Sequence, residues 1–350
     1  MLDLTTMRAT LAEIYDLAPS MDLAEEMRDI HAKMDRVVPL PDFARYAPYI
    51  RAINKLKREK NAVILAHNYM TPEIYHGVAD VVGDSLQLAI EATKVQADTI
   101  VQCGVHFMAE TSKILNPAKT VLIPDVKAGC SLAESITAEG IAEMRAKYPG
   151  APVVSYVNTT AEVKAASDIC CTSSNAAQIV AEMDSDVVIM TPDQYLAQNV
   201  ANEVPQKKVV WWEGSCIVHE QYTKDDINAF RALNSDTRII AHPECPPDVV
   251  AVSDFSGSTS GIIDYVTREM PGSAMLVTEC SMASNIADAL PEVDFTGPCN
   301  MCPYMKKITL EKILWSLHTG TEAVEVDPQI AAKAKIAVER MIELSQALAK

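Results

Sequence analysis

Nine cysteines, at positions 103, 130, 170, 171, 216, 245, 280, 299 and 302, are the residues of this 350-residue chain best suited to hold a metal or to react. Cys130, Cys216 and Cys302 are separated by 86 residues and again by 86. Three thiolates suit iron and sulfide. A cluster usually takes four cysteines, and one with three protein ligands keeps an iron open as a Lewis acid, as an open zinc site does. Spacing alone favours the plainer alternative of three buried structural thiols. Cys299 and Cys302 have the C-x-x-C spacing of zinc knuckles and redox pairs, but no second C-x-x-C completes a four-cysteine zinc site. The adjacent Cys170 and Cys171 cannot easily aim at one metal. Cys103, Cys245 and Cys280 follow apolar strands or precede proline, so these five are expected to be buried apolar residues. Cys299 is unsettled, because it could pair with Cys302 on oxidation.

The 86-residue spacing extends beyond the thiols. A shift of 86 lays Val153–Asn158 over Ile239–Glu244, Ala166-Ser167-Asp168 over Val252-Ser253-Asp254, and Thr172-Ser173-Ser174 over Ser258-Thr259-Ser260. An earlier copy needs shifts of 89 for Ile64–Tyr69 on Val153–Asn158 and 88 for Asp84-Ser85 on Thr172-Ser173. Three copies therefore drift by a few residues. Each copy's first strand ends in a polar pair: His67 with Tyr69, Tyr156 with Asn158, His242 with Glu244. Histidine and carboxylate can act as general acid or base, and tyrosine can donate to a developing oxyanion. Ser85, Ser173 and Thr259 recur where helices are expected to start. There they are either ordinary caps or, with the free backbone N–H groups, an anion site.

The elements that must position these groups alternate. In the first copy, 48–60, 84–95 and 106–116 have helical periodicity, and 62–66, 99–102 and 120–123 are short apolar strands. Such a unit predicts a parallel sheet covered on both faces, with functional loops at the carboxyl ends of its strands. The fold class is α/β, with three pseudo-threefold-related αβα domains around one central site. The expected divisions are 1–44 as helices packing on the first domain, 45–130, 131–216 and 217–302 as the three domains, and 303–350 completing the first. Residues 309–316 and 328–350 read as helical and 323–326 as a strand.

Composition bounds the function. The 30 basic and 47 acidic side chains leave a net charge of −17, which repels phosphate backbones and anionic lipid surfaces, so neither nucleic acid nor membrane is an expected partner. Anionic substrates must then be held by local donors. The first twenty residues lack the basic start and apolar run of a signal peptide, and the longest apolar stretches are strand-length, so a cytoplasmic location is expected. In that reducing compartment the cysteines are not expected to form a disulfide framework.

The stretches ILAHNYMTPEIYHGVADVVGDSLQLA, AGCSLAES, VVSYVNTTAEVKAASDICCTSSNA, WEGSCIVHE, AHPECP, VSDFSGSTSGI and CNMCPYMKKITLEKI closely resemble the quinolinate synthase family, over about residues 45–320. The resemblance implies an enzyme that makes quinolinate, phosphate and water from iminoaspartate and dihydroxyacetone phosphate, for pyridine nucleotide biosynthesis. It implies one 4Fe-4S cluster per chain on Cys130, Cys216 and Cys302, and a functional link to an L-aspartate oxidase as supplier of iminoaspartate. It makes His67, Tyr69, Tyr156, Asn158, His242 and Glu244 the substrate-facing groups, with Glu244, Tyr69 and His67 moving protons. Ser85, Ser173 and Thr259 become binders of phosphate or carboxylates. Some relatives carry C-x-x-C-x-x-C at the last ligand, where this chain has only Cys299 and Cys302. Two other classes use the same thiols: an iron–sulfur dehydratase of another small acid, and a non-enzymatic iron–sulfur sensor.

Overall fold

A computed structural model describes residues 3–348 of the chain. Three four-stranded sheets follow one another along it. The first contains Ala62–His67 (β1), Val81–Gly83 (β2), Thr99–Cys103 (β3) and Thr120–Leu122 (β4). The second contains Val153–Tyr156 (β5), Ile169–Cys171 (β6), Val187–Thr191 (β7) and Lys208–Trp211 (β8). The third contains Arg238–Ala241 (β9), Phe255–Ser256 (β10), Ser273–Val277 (β11) and Asp294–Phe295 (β12). Every pairing is parallel, and the spatial order is the same in each: β2-β1-β3-β4, β6-β5-β7-β8 and β10-β9-β11-β12. Parallel strands need helical crossovers, which cover both faces. The central strands are accordingly short apolar runs such as Ile64-Leu65-Ala66 and Val188-Ile189-Met190, all buried.

An identical device ties each sheet at its amino end. Asp80, Asp168 and Asp254, each one residue before the second strand of its sheet, accept the backbone N–H of Ile64, Val153 and Ile239 at 2.8, 2.7 and 2.8 Å. Each carboxylate also pairs with a cation from the preceding helix: Lys57 at 2.7 Å, Arg145 at 2.9 Å and Arg231 at 3.2 Å. The same cations donate to the carbonyls of Val78, Ala166 and Val252, two residues before each aspartate. One charged pair thus fixes both the strand register and the exit of the crossover helix.

The strands β2, β6 and β10 carry no sequence signal, because two or three residues are too few to show a period. The helix read as starting at Pro48 runs from Leu40 to Glu59 with Pro48 inside it. Proline marks a helix start well, but Phe43, Ala44 and Ala47 are buried upstream and extend the apolar face. Residues 323–326 form no named strand; a single antiparallel bridge joins Ala323 to Leu122 at the edge of β4.

Both chain ends serve as covers. Helix Leu4–Ile14 packs on helix Leu310–Thr319, with Arg8 and Glu311 paired at 2.6 Å, and Leu310–Thr319 packs in turn on Leu40–Glu59 and β3. The last helix, Pro328–Leu348, lies chiefly against Ala161–Ala166 and β6 of the second unit and reaches His106–Leu115 of the first. Its Arg340 and Ser345 bond to Asp168 and Asn175. It therefore spans two units, where its sequence had placed it around the first alone.

Candidate active site

One cavity opens where the carboxyl ends of the three sheets converge. Cys130, Cys216 and Cys302 line it. So do the strand-end pairs His67 and Tyr69, Tyr156 and Asn158, His242 and Glu244, and the hydroxyl residues Ser85, Ser173 and Thr259. All twelve positions singled out in the sequence therefore meet in one place.

The cysteines occupy equivalent turns. The carbonyls of Cys130, Cys216 and Cys302 accept the N–H groups of Glu134, Glu220 and Lys306, four residues on in each case. Backbone amides two and three residues after each cysteine favour its thiolate, but burial dominates. Burial pushes the Cys130 thiol up to about 12 and raises Cys216 and Cys302 as well. Thiols so buried stay protonated unless a cation takes the proton's place. Among the described residues, the ligand atoms of Cys216, His219 and Glu244 lie within 4.8 Å of one another. One thiol from each of three units, in equivalent turns on one cavity, suits a group that all three units face at once. The polar pairs differ from unit to unit, whereas the cysteine is the same in all three. A cubane bound through three irons presents a threefold face of that kind, and the residues fit it.

The buried polar groups form a directed chain. Glu244 accepts from the Tyr156 hydroxyl at 2.5 Å through Oε1 and lies 2.8 Å from His219 Nδ1 through Oε2. His219 Nε2 lies 3.0 Å from Thr278 Oγ1, which is 2.6 Å from the Tyr69 hydroxyl. A carboxylate can only accept, so His219 carries its proton on Nδ1. Nε2 then accepts from Thr278, and Thr278 accepts from Tyr69. The relay runs Tyr69 to Thr278 to His219 to Glu244. Burial pushes the Glu244 carboxyl up, but His219 and His242 beside it and the hydrogen bonds from His219 and Tyr156 hold it well below the usual range. Burial lowers His67 to about 4 and His242 to about 3, so both are neutral at pH 7. Burial also raises both tyrosines well above 10.

Among the described residues no lysine or arginine lines the cavity, so an anion there must be held by hydroxyl, amide and imidazole groups. Ser85 and Thr259 are the first residues of their helices, and the caps are the residues before them: Asp84 accepts from Gln87 and Ser258 from Gly261. That frees the Ser85 and Thr259 hydroxyls from capping. Ser173 does not start a helix; it lies in the turn before Asn175, which precedes helix Ala176–Glu182. Asn158 Oδ1 is buried without a protein partner, an acceptor left over for a ligand.

The family model described as Quinolinate synthetase A protein matches residues 51–343. The chain belongs to the quinolinate synthase family. The quinolinate synthase of Sinorhizobium medicae (strain WSM419) is 58% identical over 339 residues, covering 97% of this chain and 94% of that protein. Those of Xylella fastidiosa (strain 9a5c) and Caulobacter vibrioides (strain NA1000 / CB15N) are 57% and 54% identical over 84% and 85% of this chain, and over 87% and 82% of their own lengths. The chain is thus an enzyme of this family. No helix among the described residues is long and apolar enough to cross a membrane.

Several site residues of the enzyme escaped the repeat. His219 falls on Ala133 and Met305 at the 86-residue shift, and Thr278 falls on Pro192, so neither has a polar equivalent to mark it. Asn68, which donates to Thr259 Oγ1 at 2.8 Å, falls on Val157 and Pro243. Glu279 is buried and paired with Lys306 at 2.7 Å, and Lys306 also donates to the Tyr69 carbonyl, so this pair fixes the Tyr69 loop to the Cys302 turn.

The cysteine partition also changes. Cys280 is bonded to Cys299, with Cα atoms 5.1 Å apart, and Cys302 is free. Cys280 is therefore not a core thiol, and Cys299 does not pair with Cys302. The cause is topological: β11 and β12 are parallel neighbours, so their trailing loops run side by side, with Glu279 bridged to Asn300. Cys103, Cys170, Cys171 and Cys245 are buried free thiols.

Proposed function

We propose that the enzyme condenses iminoaspartate with dihydroxyacetone phosphate to give quinolinate, phosphate and two molecules of water. The observation that carries this reading is the convergence of a buried proton relay and three unit-equivalent hydroxyls on one cavity whose described wall holds no lysine or arginine. Cys130, Cys216 and Cys302 would hold a 4Fe-4S cluster, and when bound it supplies an open, Lewis-acidic iron for substrate oxygen or carboxylate groups.

The protein's own part is to bind, orient and move protons. The hydroxyls of Ser85, Ser173 and Thr259 receive phosphate or carboxylate oxygens, and the Asn158 carbonyl accepts from the substrate imine or hydroxyl. The enamine carbon of the imino diacid attacks the phosphate-bearing carbon, and phosphate leaves. Ketose–aldose isomerisation follows, then imine closure and loss of water. Tyr69 stands at the head of the relay: when it takes up or gives a proton, His219 becomes or ceases to be imidazolium beside Glu244, which stabilises that charge. His67, in edge contact with Tyr69 at 4.6 Å between ring centroids, is a neutral donor to the three-carbon fragment. Phe107 and Met108 close the wall against water.

The units are taken as 45–130, 131–216 and 217–302. We also assign the enzyme to the cytoplasm, downstream of an L-aspartate oxidase that supplies the imino diacid. The deciding experiment is anaerobic reconstitution, iron and sulfide counting, and an assay for quinolinate from both precursors. Full cluster content without quinolinate would overturn the reading, and full iron retention in Cys216→Ser would overturn the ligand assignment.

A further inference from the structure

Within the cavity, Cys216, His219 and Glu244 form a second potential metal set. Their ligand atoms all lie within 4.8 Å of one another, and His219 and Glu244 are buried. Tetrahedral zinc places N, O and S ligands about 3.3–3.6 Å apart, which side-chain rotations from this arrangement can reach. The supporting contacts that a metal site needs are already in place. Thr278 Oγ1 can accept from His219 Nε2 once Nδ1 gives its lone pair to the metal, and the Tyr156 hydroxyl fixes the other oxygen of Glu244. Charge also favours a dication. A thiolate, a carboxylate and a neutral imidazole sum to −2 in a cavity with no lysine or arginine in its described wall, so one divalent ion neutralises the set.

We propose that, when the three cysteines hold no cluster, the chain binds one zinc-like divalent cation at Cys216, His219 and Glu244, a site distinct from the three-cysteine site and sharing only Cys216 with it. The set already gathered within 4.8 Å takes one thiol with two residues of the relay. The two occupancies are mutually exclusive. Zinc bound here also occupies both His219 and Glu244, so the zinc form is silent in catalysis and is restored only by chelation before cluster assembly.

The test uses the full chain freed of iron by anaerobic chelation under reducing conditions, titrated with zinc and, for its spectrum, with cobalt(II). One equivalent should bind, with sulfur-to-cobalt charge transfer of the intensity of one thiolate bond. Affinity should fall by at least about 100-fold in Glu244→Gln and His219→Gln and by less than about threefold in Cys130→Ser and Cys302→Ser. A charge-transfer intensity of three thiolate bonds, loss of binding in Cys130→Ser, or no stoichiometric binding would overturn the site. The cobalt spectrum of the unaltered chain decides the matter even where a variant fails to fold. The exclusion arm rests on the proposed cluster: protein carrying its full iron and sulfide should take up no zinc. Uptake by that form with the one-thiolate spectrum would overturn Cys216 as a cluster ligand while supporting the zinc site.

Discussion

The two ends of the three sheets obey different rules. At the amino ends the chemistry itself recurs: an aspartate, a strand N–H and a lysine or arginine, placed alike in every unit. At the carboxyl ends the positions recur but the residues diverge, to histidine and tyrosine, tyrosine and asparagine, and histidine and glutamate. Tying a crossover to a sheet is the same task three times, so one solution suffices. The bound substrates have no threefold symmetry, so equivalent positions must do unlike things. Only the cysteines keep one identity at the functional end, which suits the proposed task of holding one group jointly.

The comparison breaks most readily at Glu244. Glu244→Gln should lower the rate of quinolinate formation by about 10²–10⁴-fold, the range for losing a positioned acid–base group, with iron content kept. A rate within threefold of the original would move the asymmetric chemistry elsewhere. Acid should then separate the two ends. Burial lowers the folded pKa of His67 to about 4 and of His242 to about 3, so the unfolded chain binds more protons as pH falls below about 6.5. Each histidine should cost on the order of 2 kcal/mol of stability between pH 7 and pH 5, seen as a falling denaturant midpoint that flattens in His67→Asn and His242→Asn. The Asp254 carboxyl has the opposite sign. Burial raises its pKa, but the Ile239 N–H, Arg231 and Arg238 hold it below the ordinary aspartate value, so its contribution persists above that value and is lost only as pH falls through the lower folded one.

The amino-end clamps should cost stability and leave catalysis alone. Asp254→Ala should destabilise by about 1–2 kcal/mol, for a charged hydrogen bond only partly exposed, and leave kcat unchanged. The matching changes at Asp80 and Asp168 should fall in the same range if the three clamps are equivalent. The smallest effect belongs to the cations. The Arg145 and Asp168 side chains are 39% and 41% exposed, so Arg145→Met should cost at most about 1 kcal/mol and less in high salt. Thermal unfolding at two ionic strengths reads it.

What could be read from the chain follows the same division. Asp168 and Asp254 aligned under one shift because a repeated task keeps its residue, and the cysteines aligned for the same reason. The three sheets were legible in strands such as Ile64-Leu65-Ala66, whose apolar runs are long enough to register. His219 and Thr278 were not legible, because asymmetric chemistry needs them once and their counterparts are alanine, methionine and proline. Nor was the Cys280–Cys299 bond, which depends on two parallel neighbours delivering their loops to one point.

The helix Leu310–Thr319, which covers Leu40–Glu59 and β3, has a consequence for synthesis. During translation the first sheet emerges early, yet its cover and the bridge from Ala323 to its edge are made almost last. The third unit can fold as it leaves the ribosome, while the first waits for Leu310–Thr319 and the second for Pro328–Leu348, which packs on Ala161–Ala166 and β6. The nascent chain therefore closes the third unit before the first, and the first before the second. The cavity shared by all three cannot exist until translation is nearly finished, so whatever it binds is taken up after synthesis.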